Sequence, residues 1–149
     1  MATKPHKLLL LCTGNTCRSQ MAHAIAQQWS QLHGDRVALE SRGIRANTGD
    51  ATTEEALLVL VEANIHWQGT SQRLSIADLD WADDVWGMTQ EHIQFAHDLG
   101  SQLDDHRQPH YQLLAVECEL ADPLDSGIEA YEALFVTLQE LIPKRLSAI

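Results

Sequence analysis

Two residues near the start of the chain combine a nucleophilic side chain with one that binds oxyanions. Cys12 follows the apolar run of residues 8–11, and Arg18 lies six residues after it. The planar guanidinium of arginine can hold two oxygens of a tetrahedral oxyanion, and a cysteine thiolate can attack phosphorus. The pair therefore predicts phosphoryl-transfer chemistry, with Cys12 as the nucleophile and Arg18 as the clamp on the equatorial oxygens.

The residues between the cysteine and the arginine predict a loop that binds an anion. Gly14 and Asn15 belong to the residue types that most readily accept left-handed backbone angles, and a loop that turns there can direct several N–H groups into one concavity. The helical spacing of apolar residues in 18–33 places the positive end of a helix behind this loop. Such surroundings lower the pKa of a thiol from roughly 8.5 to about 3.5–7.5. We therefore expect Cys12 to be a thiolate, assisted by the Ser19 hydroxyl.

The rest of the chain alternates strands with helices, a pattern that predicts a parallel sheet with helices on both faces and hence a three-layer α/β fold. The first strand is apolar throughout, which suits a central strand buried on both sides. Residues 1–7 are predicted to be a short polar lead-in. The predicted strands are 8–12, 36–41, 84–88 and 111–116. Five helices are predicted. The first spans 18–33, the second follows a capping-box pattern at 52–55, and the third spans 75–79; the fourth is capped by Thr89 and runs to 99, and the fifth spans 128–146 behind a second capping-box pattern at 126–129.

A proton donor for the leaving group is the second requirement of this chemistry. Asp122 is the best candidate, because Pro123 biases it towards an extended backbone and because their loop follows the last predicted strand. That position places the loop at the carboxyl end of the sheet, where open parallel sheets bind their ligands. An ordinary Asp-Pro turn is the alternative interpretation, and the phosphate loop at the other end of the chain favours the catalytic one.

The sequence Cys-Thr-Gly-Asn-Thr-Cys-Arg-Ser at 12–19 resembles the phosphate loop of the low-molecular-weight protein tyrosine phosphatases. The wider family includes bacterial protein arginine phosphatases and thioredoxin-coupled arsenate reductases. Residues 82–92 are similar to the third strand of this family and the helix after it. The resemblance implies a four-stranded sheet in the order 2-1-3-4. It also implies hydrolysis of phosphotyrosine or phosphoarginine through a phosphocysteine, with a phosphorylated protein or peptide as partner and inorganic phosphate as product.

The resemblance also assigns roles to individual residues. It makes Asp122 the general acid that later activates water to hydrolyse the phosphocysteine. It makes Ser41 a residue that hydrogen-bonds into the phosphate loop, although an ordinary strand-end hydroxyl is an equal interpretation from the sequence. Cys17 is expected to pack the loop, or to form a disulfide with Cys12 under oxidation. The phosphate-binding loop then comprises Thr13, Gly14, Asn15, Thr16, Cys17 and Ser19.

The residues around the expected site bear on the choice between phosphotyrosine and phosphoarginine. Tyrosine phosphatases of this family carry aromatic residues after Asp-Pro, whereas this chain has Leu124 and Asp125 there, and residues 41–50 contain no aromatic residue either. Stacking on a ring contributes about 0.5–1.5 kcal/mol beyond burial, so phosphotyrosine would be weakly held. Thr16 is similar to the threonine of the arginine phosphatases, and its hydroxyl suits a polar guanidinium. Neutral variation in a loop explains Thr16 nearly as well.

Two other functions remain as alternatives at the level of sequence. Gln20 is similar to the residue at this position in the arsenate reductases, but those enzymes need two further cysteines, and residues 67–100 contain none. The second alternative is a module that binds phosphorylated partners without turning them over, which the intact catalytic set disfavours. The region of Gly69 also lacks the histidine with which many family members steady the loop asparagine, which puts the rigidity of the loop in question.

The composition predicts a single domain over residues 1–149, in the cytoplasm, that uses neither a cofactor nor a metal. The length is enough for one sizeable core, and no stretch approaches the ~20 apolar residues of a membrane span. The net charge of −11 disfavours nucleic acid and acidic membranes as partners. Three cysteines without a disulfide pattern favour a reducing compartment, and the eight histidines show no metal-ligand spacing.

Overall fold

Four parallel strands form one sheet, in the order β2-β1-β3-β4, in the computed structural model, which describes residues 4–149. They are β1 His6–Cys12, β2 Val37–Gly43, β3 Asp84–Gly87 and β4 His110–Leu113. The order and the parallel pairing confirm the predicted sheet. The predicted lead-in over residues 1–7 is too long, because β1 already begins at His6, which pairs with Val37. Residues 1–3 of the predicted lead-in lie outside the described residues.

Within residues 4–149, five α-helices connect the strands and cover both faces of the sheet. Helices α1, α2 and α5 pack on one face, and α3 and α4 pack on the other, which confirms the three-layer α/β architecture. In the same part of the chain no helix has both the length and the apolar composition needed to cross a membrane. The helices are α1 Arg18–Leu32, α2 Glu54–Glu62, α3 Ile76–Trp81, α4 Gln90–Gly100 and α5 Ile128–Ser147.

The central strand β1 supplies side chains to the cores on both faces of the sheet. Successive residues of a strand point to opposite faces, so Leu8 and Leu10 join the core under α1 and α5, whereas Leu9 and Leu11 join the core under α3 and α4. All four side chains have no exposed surface. Burial of each stabilises the fold by about 1.5–3 kcal/mol relative to exposure, which anchors the strand that ends at Cys12.

The last strand is shorter than predicted, since β4 ends at Leu113 rather than at residue 116. Its partner β3 ends at Gly87, opposite Leu113, and the N–H of Leu114 makes one more bond to the carbonyl of Gly87 at 3.0 Å. The chain then leaves the sheet, and residues 114–127 form a long loop before α5. This loop lies at the carboxyl edge of the sheet, the edge at which β1 ends.

Both predicted capping boxes, at 52–55 and 126–129, are wrong. Helix α2 begins after Thr53, one residue later than the pattern requires, and the Thr52 hydroxyl donates instead to a carbonyl of a neighbouring loop at 2.7 Å. Helix α5 begins after Gly127, whose φ of 87° lies in the left-handed region that glycine accepts without strain. In both cases the chain enters the helix one residue beyond the capping side chain.

Replacement of Leu10 by alanine tests the contribution of the central strand. Leu10→Ala leaves a cavity between the sheet and α1, and it should lower the free energy of unfolding by about 2–5 kcal/mol in urea titrations. Leu58, half exposed on α2, provides the matched control, and Leu58→Ala should change stability by roughly 0.5 kcal/mol or less. Equal losses for the two variants would contradict the assignment of Leu10 to the core.

Candidate active site

The sulfur of Cys12 lies where β1 meets the phosphate loop, and two hydrogen-bond partners face it. The backbone N–H of Asn15 donates to Sγ at 3.2 Å, and Oγ of Ser19 lies 2.8 Å from Sγ. The side-chain amide of Asn15 donates to the same Oγ at 2.7 Å, so the hydroxyl hydrogen of Ser19 remains for the sulfur. Hydrogen bonds donated to the charged form of a group stabilise that form, and the arrangement therefore suits a thiolate.

Asn15 makes the turn of this loop and ties it to the segment after α2. Its φ is 56°, whereas Gly14 is not in the left-handed region, so the expectation that both residues turn the loop holds for Asn15 alone. The Asn15 side chain is fully buried, and its Oδ1 accepts the N–H of Gln72 at 2.9 Å. A backbone N–H thus supports the loop asparagine in this chain, which has no histidine near Gly69.

Gln20, a buried residue of α1, provides a second support for the loop. Its Nε2 donates to the carbonyl of Asn15 at 3.0 Å and to the carbonyl of Thr70 at 3.3 Å, while its Oε1 accepts the indole N–H of Trp67 at 2.7 Å. Gly69 allows this contact, because a β-carbon there would lie 2.1 Å from Oε1. The glutamine that resembled a feature of arsenate reductases therefore has a structural role in holding the loop.

The guanidinium of Arg18 is buried between the phosphate loop and the loop after β4. Its Nη1 donates to the carbonyl of Leu120 at 2.9 Å, and its Nη2 donates to Oγ1 of Thr13 at 3.3 Å. Nε is buried and has no acceptor among residues 4–149. Nε and Nη2 form one edge of the planar fork, and this edge keeps N–H groups that can bind an oxyanion.

Asp122 lies beside the phosphate loop although it is 105 residues from Cys17 in the sequence. The Cys17 thiol donates to Oδ1 at 3.2 Å, and the N–H of Leu124 donates to the same oxygen at 3.0 Å. Oδ2 lies 3.6 Å from Nη2 of Arg18, and the side chain is 41% exposed. One carboxylate oxygen is therefore fixed, and the other faces the arginine at the solvent-accessible side of the site.

Cys17 is a buried thiol, and both it and Cys12 are free in this structure. The disulfide expected between them under oxidation stays a prediction. Burial raises the pKa of Cys17 to about 12, and the negative charge of Asp122 and the hydrogen bond to it act in the same direction. Cys17 therefore keeps its proton at neutral pH and serves as a donor. This contact supports the expectation that Cys17 packs the loop, and it adds a direct link to Asp122.

Ser41 does not make the hydrogen bond into the loop that the resemblance implies. Its side chain faces α1, and Oγ lies 2.9 Å from Nδ1 of His23. The loop contact falls two residues later, because β2 reaches the loop at Gly43, where a β-carbon would lie 2.5 Å from the carbonyl oxygen of Thr13 and 2.9 Å from the N of Asn15. Nothing in the sequence distinguishes Gly43 from other glycines, because glycine is needed at this position only to let the backbone of β2 pack against the phosphate loop.

Residues 42–50, at the end of β2 and beyond it, contact the phosphate loop through backbone atoms. The N–H of Ile44 donates to the carbonyl of Cys12 at 2.9 Å, and the N–H of Arg45 donates to the carbonyl of Thr13 at 3.0 Å. We call the partly accessible residues of the two loops beside the site, Thr16 and Leu124, its rim. Leu124 is 49% exposed, and Thr16 is partly buried with a hydroxyl that bonds to no residue of 4–149. The rim therefore offers polar and aliphatic groups to a substrate.

The fold and this site define a small α/β phosphatase built around a cysteine-containing phosphate loop. The family model described as low molecular weight phosphotyrosine protein phosphatase matches residues 7–149, so the chain belongs to this family. The chain is 33% identical over 141 residues to a protein-arginine-phosphatase of Geobacillus stearothermophilus, covering 94% of this chain and 93% of that protein. It is 32% identical to the low molecular weight protein-tyrosine-phosphatase PtpB of Staphylococcus epidermidis, covering 93% and 95%.

Solved structures agree with this membership. The crystal structure of a low molecular weight protein tyrosine phosphatase from T. tengcongensis superposes with a TM-score of 0.85 at 29% identity, covering 97% of this chain and 99% of that chain. Relatives that bear arginine-phosphatase and tyrosine-phosphatase names are similar to this chain to nearly the same degree. Overall similarity therefore assigns the class of hydrolase, and the side chains at the rim must decide between the substrates.

Replacement of Gly43 by alanine tests the close approach of β2 to the loop. The added β-carbon would overlap the backbone at residues 13 and 15, and we expect phosphate to inhibit the variant about tenfold more weakly, in line with overpacking costs of roughly 1–3 kcal/mol. Gly14→Ala is the matched substitution, since its nearest neighbour would be 3.7 Å away, and it should lose less. The reverse ranking would contradict the packing described for Gly43.

Alkylation of the native protein tests the state of Cys17. Because its pKa is about 12, the thiol form dominates at every pH below that value, and only thiolates react with iodoacetamide. Peptide mass spectrometry after treatment at pH 7 and pH 10 should find Cys17 unmodified, whereas the exposed Cys118 becomes labelled as the pH rises. Labelling of Cys17 at a rate comparable to that of Cys118 would show that its proton is not retained.

Proposed function

We propose that this chain removes phosphoryl groups from phosphorylated arginine side chains of proteins through a phosphocysteine at Cys12. The observation that carries the proposal is the donor arrangement around one sulfur: Ser19 and the N–H of Asn15 face it, and the free edge of Arg18 belongs to the same loop. A sulfur anion and a cationic fork in one concavity can bind a tetrahedral oxyanion and attack it.

The first chemical step transfers the phosphoryl group to the enzyme. The sulfur of Cys12 attacks phosphorus as the bond from phosphorus to the leaving nitrogen or oxygen breaks, and the proton of Asp122 goes to that leaving atom. Arg18 and the loop N–H groups hold the three non-bridging oxygens, where negative charge develops. Oδ2 of Asp122 is the oxygen available for the proton, because Oδ1 already accepts two hydrogen bonds.

The second step returns the enzyme to its starting form. Asp122, now ionised, takes a proton from water, and the water oxygen attacks phosphorus as the sulfur–phosphorus bond breaks. Inorganic phosphate leaves, and Cys12 is again a thiolate that can accept the hydrogen bond of Ser19. No group beyond the described side chains and water is required for this cycle.

Phosphoarginine is favoured over phosphotyrosine by the residues at the rim. Residues 41–50 and 121–127 contain no aromatic side chain on which a phenyl ring could stack. The Thr16 hydroxyl is free to bond a guanidinium, and the partly exposed carboxylate of Asp122 beside Arg18 can pair with the same cationic group. The name of the relative from Geobacillus stearothermophilus agrees with this choice.

The two alternative functions find less support. Gln20, which suggested arsenate reduction, is occupied by contacts that hold the loop. The thiol of Cys17 donates to Asp122, and Cys118 lies exposed on the loop that also carries Asp122, so no pair of cysteines stands ready to reduce a bound arsenate. A module that only binds phosphate would not need a carboxylate held beside Arg18, as Asp122 is.

Kinetics on matched peptides test the proposed reaction. The wild-type protein should release phosphate from a phosphoarginine peptide with a kcat/KM at least about tenfold above that for the phosphotyrosine peptide of the same sequence, because the rim lacks a stacking ring. Cys12→Ser should abolish turnover, and Asp122→Asn should lower kcat about 10²–10⁴-fold while phosphate still inhibits. Full turnover by either variant would contradict the assigned role, and a preference for phosphotyrosine would contradict the substrate.

Thr16→Val tests the source of the substrate preference, because valine keeps the shape of threonine and lacks the hydroxyl. The variant should lose about tenfold in kcat/KM for phosphoarginine, the effect of one hydrogen bond to a charged group, and should keep its kcat/KM for p-nitrophenyl phosphate. An equal loss on both substrates would place the effect in the phosphate loop rather than in recognition of the guanidinium.

A further inference from the structure

His92 is a buried histidine next to the site that the proposed reaction does not use. It is the third residue of α4, is only 1% exposed, and follows Thr89, which precedes the helix as the predicted cap. Its Nδ1 accepts the N–H of Thr89 at 3.1 Å, and its Nε2 lies 2.9 Å from Oγ1 of Thr13. Each ring nitrogen therefore has a partner, one in the helix cap and one in the phosphate loop.

The two partners define which nitrogen of the ring carries the hydrogen. Because Nδ1 accepts a backbone N–H, Nε2 must be the protonated nitrogen of the neutral ring and must donate to Thr13. Burial lowers the pKa of His92 to about 4, and the charges of Arg18 and Arg45 act in the same direction against those of Glu91 and Asp122. The ring is therefore neutral at physiological pH and has one tautomer.

The Thr13 hydroxyl connects this ring to the oxyanion clamp. Oγ1 accepts a hydrogen bond from His92 and another from Nη2 of Arg18 at 3.3 Å. A hydroxyl oxygen has two lone pairs, and these two donors use both. The bond from the buried histidine thus fixes the position of Thr13, and Thr13 in turn limits the orientation of the guanidinium.

The guanidinium needs this restraint because a competing partner is close. Oδ2 of Asp122 lies 3.6 Å from Nη2 of Arg18, a short movement away from a direct hydrogen bond. Such a bond would use N–H groups that the oxyanion needs and would occupy the carboxylate oxygen that carries the proton. The hydrogen bond from Nη2 to Thr13 holds the guanidinium away from a direct hydrogen bond to Asp122.

We infer that His92 is a positioning residue of the phosphate site: acting through Thr13, it keeps the Arg18 guanidinium oriented towards a bound oxyanion and away from Asp122. The inference rests on the proposed function for its effect on turnover, and its effect on phosphate binding is independent of that function. It predicts that the N–H of His92 matters, not merely the bulk of the ring.

Three substitutions at His92 separate the donated hydrogen bond from the helix cap. Glutamine can accept from Thr89 with its carbonyl and donate to Thr13 with its amide, and it is a natural third residue of a capping box. Glutamate keeps the acceptor for the cap and lacks the donor, and leucine lacks both. Thr89→Ala is the control for α4, since it weakens the cap side chain and leaves both contacts of His92 available.

Calorimetric titration with inorganic phosphate and kinetics on p-nitrophenyl phosphate provide the readouts. We expect His92→Glu and His92→Leu to bind phosphate about tenfold more weakly, with a matching fall in kcat/KM. His92→Gln should stay within about threefold of the wild type, and Thr89→Ala should lower the melting temperature without weakening phosphate binding. Thr13→Val should reproduce the loss, and the double variant with His92→Leu should lose no more than either single variant.

Several results would overturn the inference. Wild-type phosphate affinity in folded His92→Glu or His92→Leu would do so, as would fully additive losses in the double variant with Thr13→Val. A loss in His92→Gln as large as that in His92→Leu would assign the residue to packing alone. If the wild-type protein bound phosphate yet hydrolysed no substrate, the proposed function would fail, and the phosphate titrations would still decide the role of His92.

Discussion

The left-handed turn at Asn15 is the constraint on which the rest of the site depends. With a φ of 56°, this residue points its N–H at the sulfur of Cys12, while its side chain donates to Ser19 and accepts from the backbone of Gln72. Most L-residues resist this conformation at a cost of roughly 1–2 kcal/mol. Glycine would accept the turn but would lose both side-chain contacts. Asparagine both turns the loop and orients the Ser19 hydroxyl that faces the sulfur of Cys12.

The proposed site must bind its anion against the charge of the whole protein. A net charge of −11 repels phosphate at long range, so binding must come from donors that are close and buried. Arg18 is 4% exposed, and its bonds to the carbonyl of Leu120 and the hydroxyl of Thr13 pin the guanidinium between two loops. Together with the bond from Cys17 to Asp122, these contacts join the loop that carries Cys12 to the loop that carries Asp122.

The alternation of strands and helices was sufficient to predict the parallel α/β fold, and it predicted the approach of Asp122 to the phosphate loop because parallel strands bring their carboxyl ends to one edge. The sheet order followed from the family resemblance carried by the motif at 12–19. The supporting residues were not predictable in this way. Ser41 bonds to α1 because its direction follows the register of β2, and Gly43 is needed because of backbone that comes from another strand. Gln20 supports the loop at the carbonyl of Asn15, and it is held there by Thr70 and Trp67, which are 50 and 47 residues away in the sequence. Such roles arise from tertiary contacts that no local pattern encodes.

The central claim is that a hydrogen-bonded sulfur at Cys12 accepts the phosphoryl group. The most direct measurement is the mass of the Cys12 peptide after a reaction with a phosphoarginine peptide is quenched within milliseconds, both in the wild-type protein and in an Asp122→Ala variant, which lacks the base of the second step. The account predicts an increase by one phosphoryl group on Cys12, absent when Cys12→Ala is added. A phosphoryl group found on another residue, or turnover with no covalent intermediate at all, would contradict it.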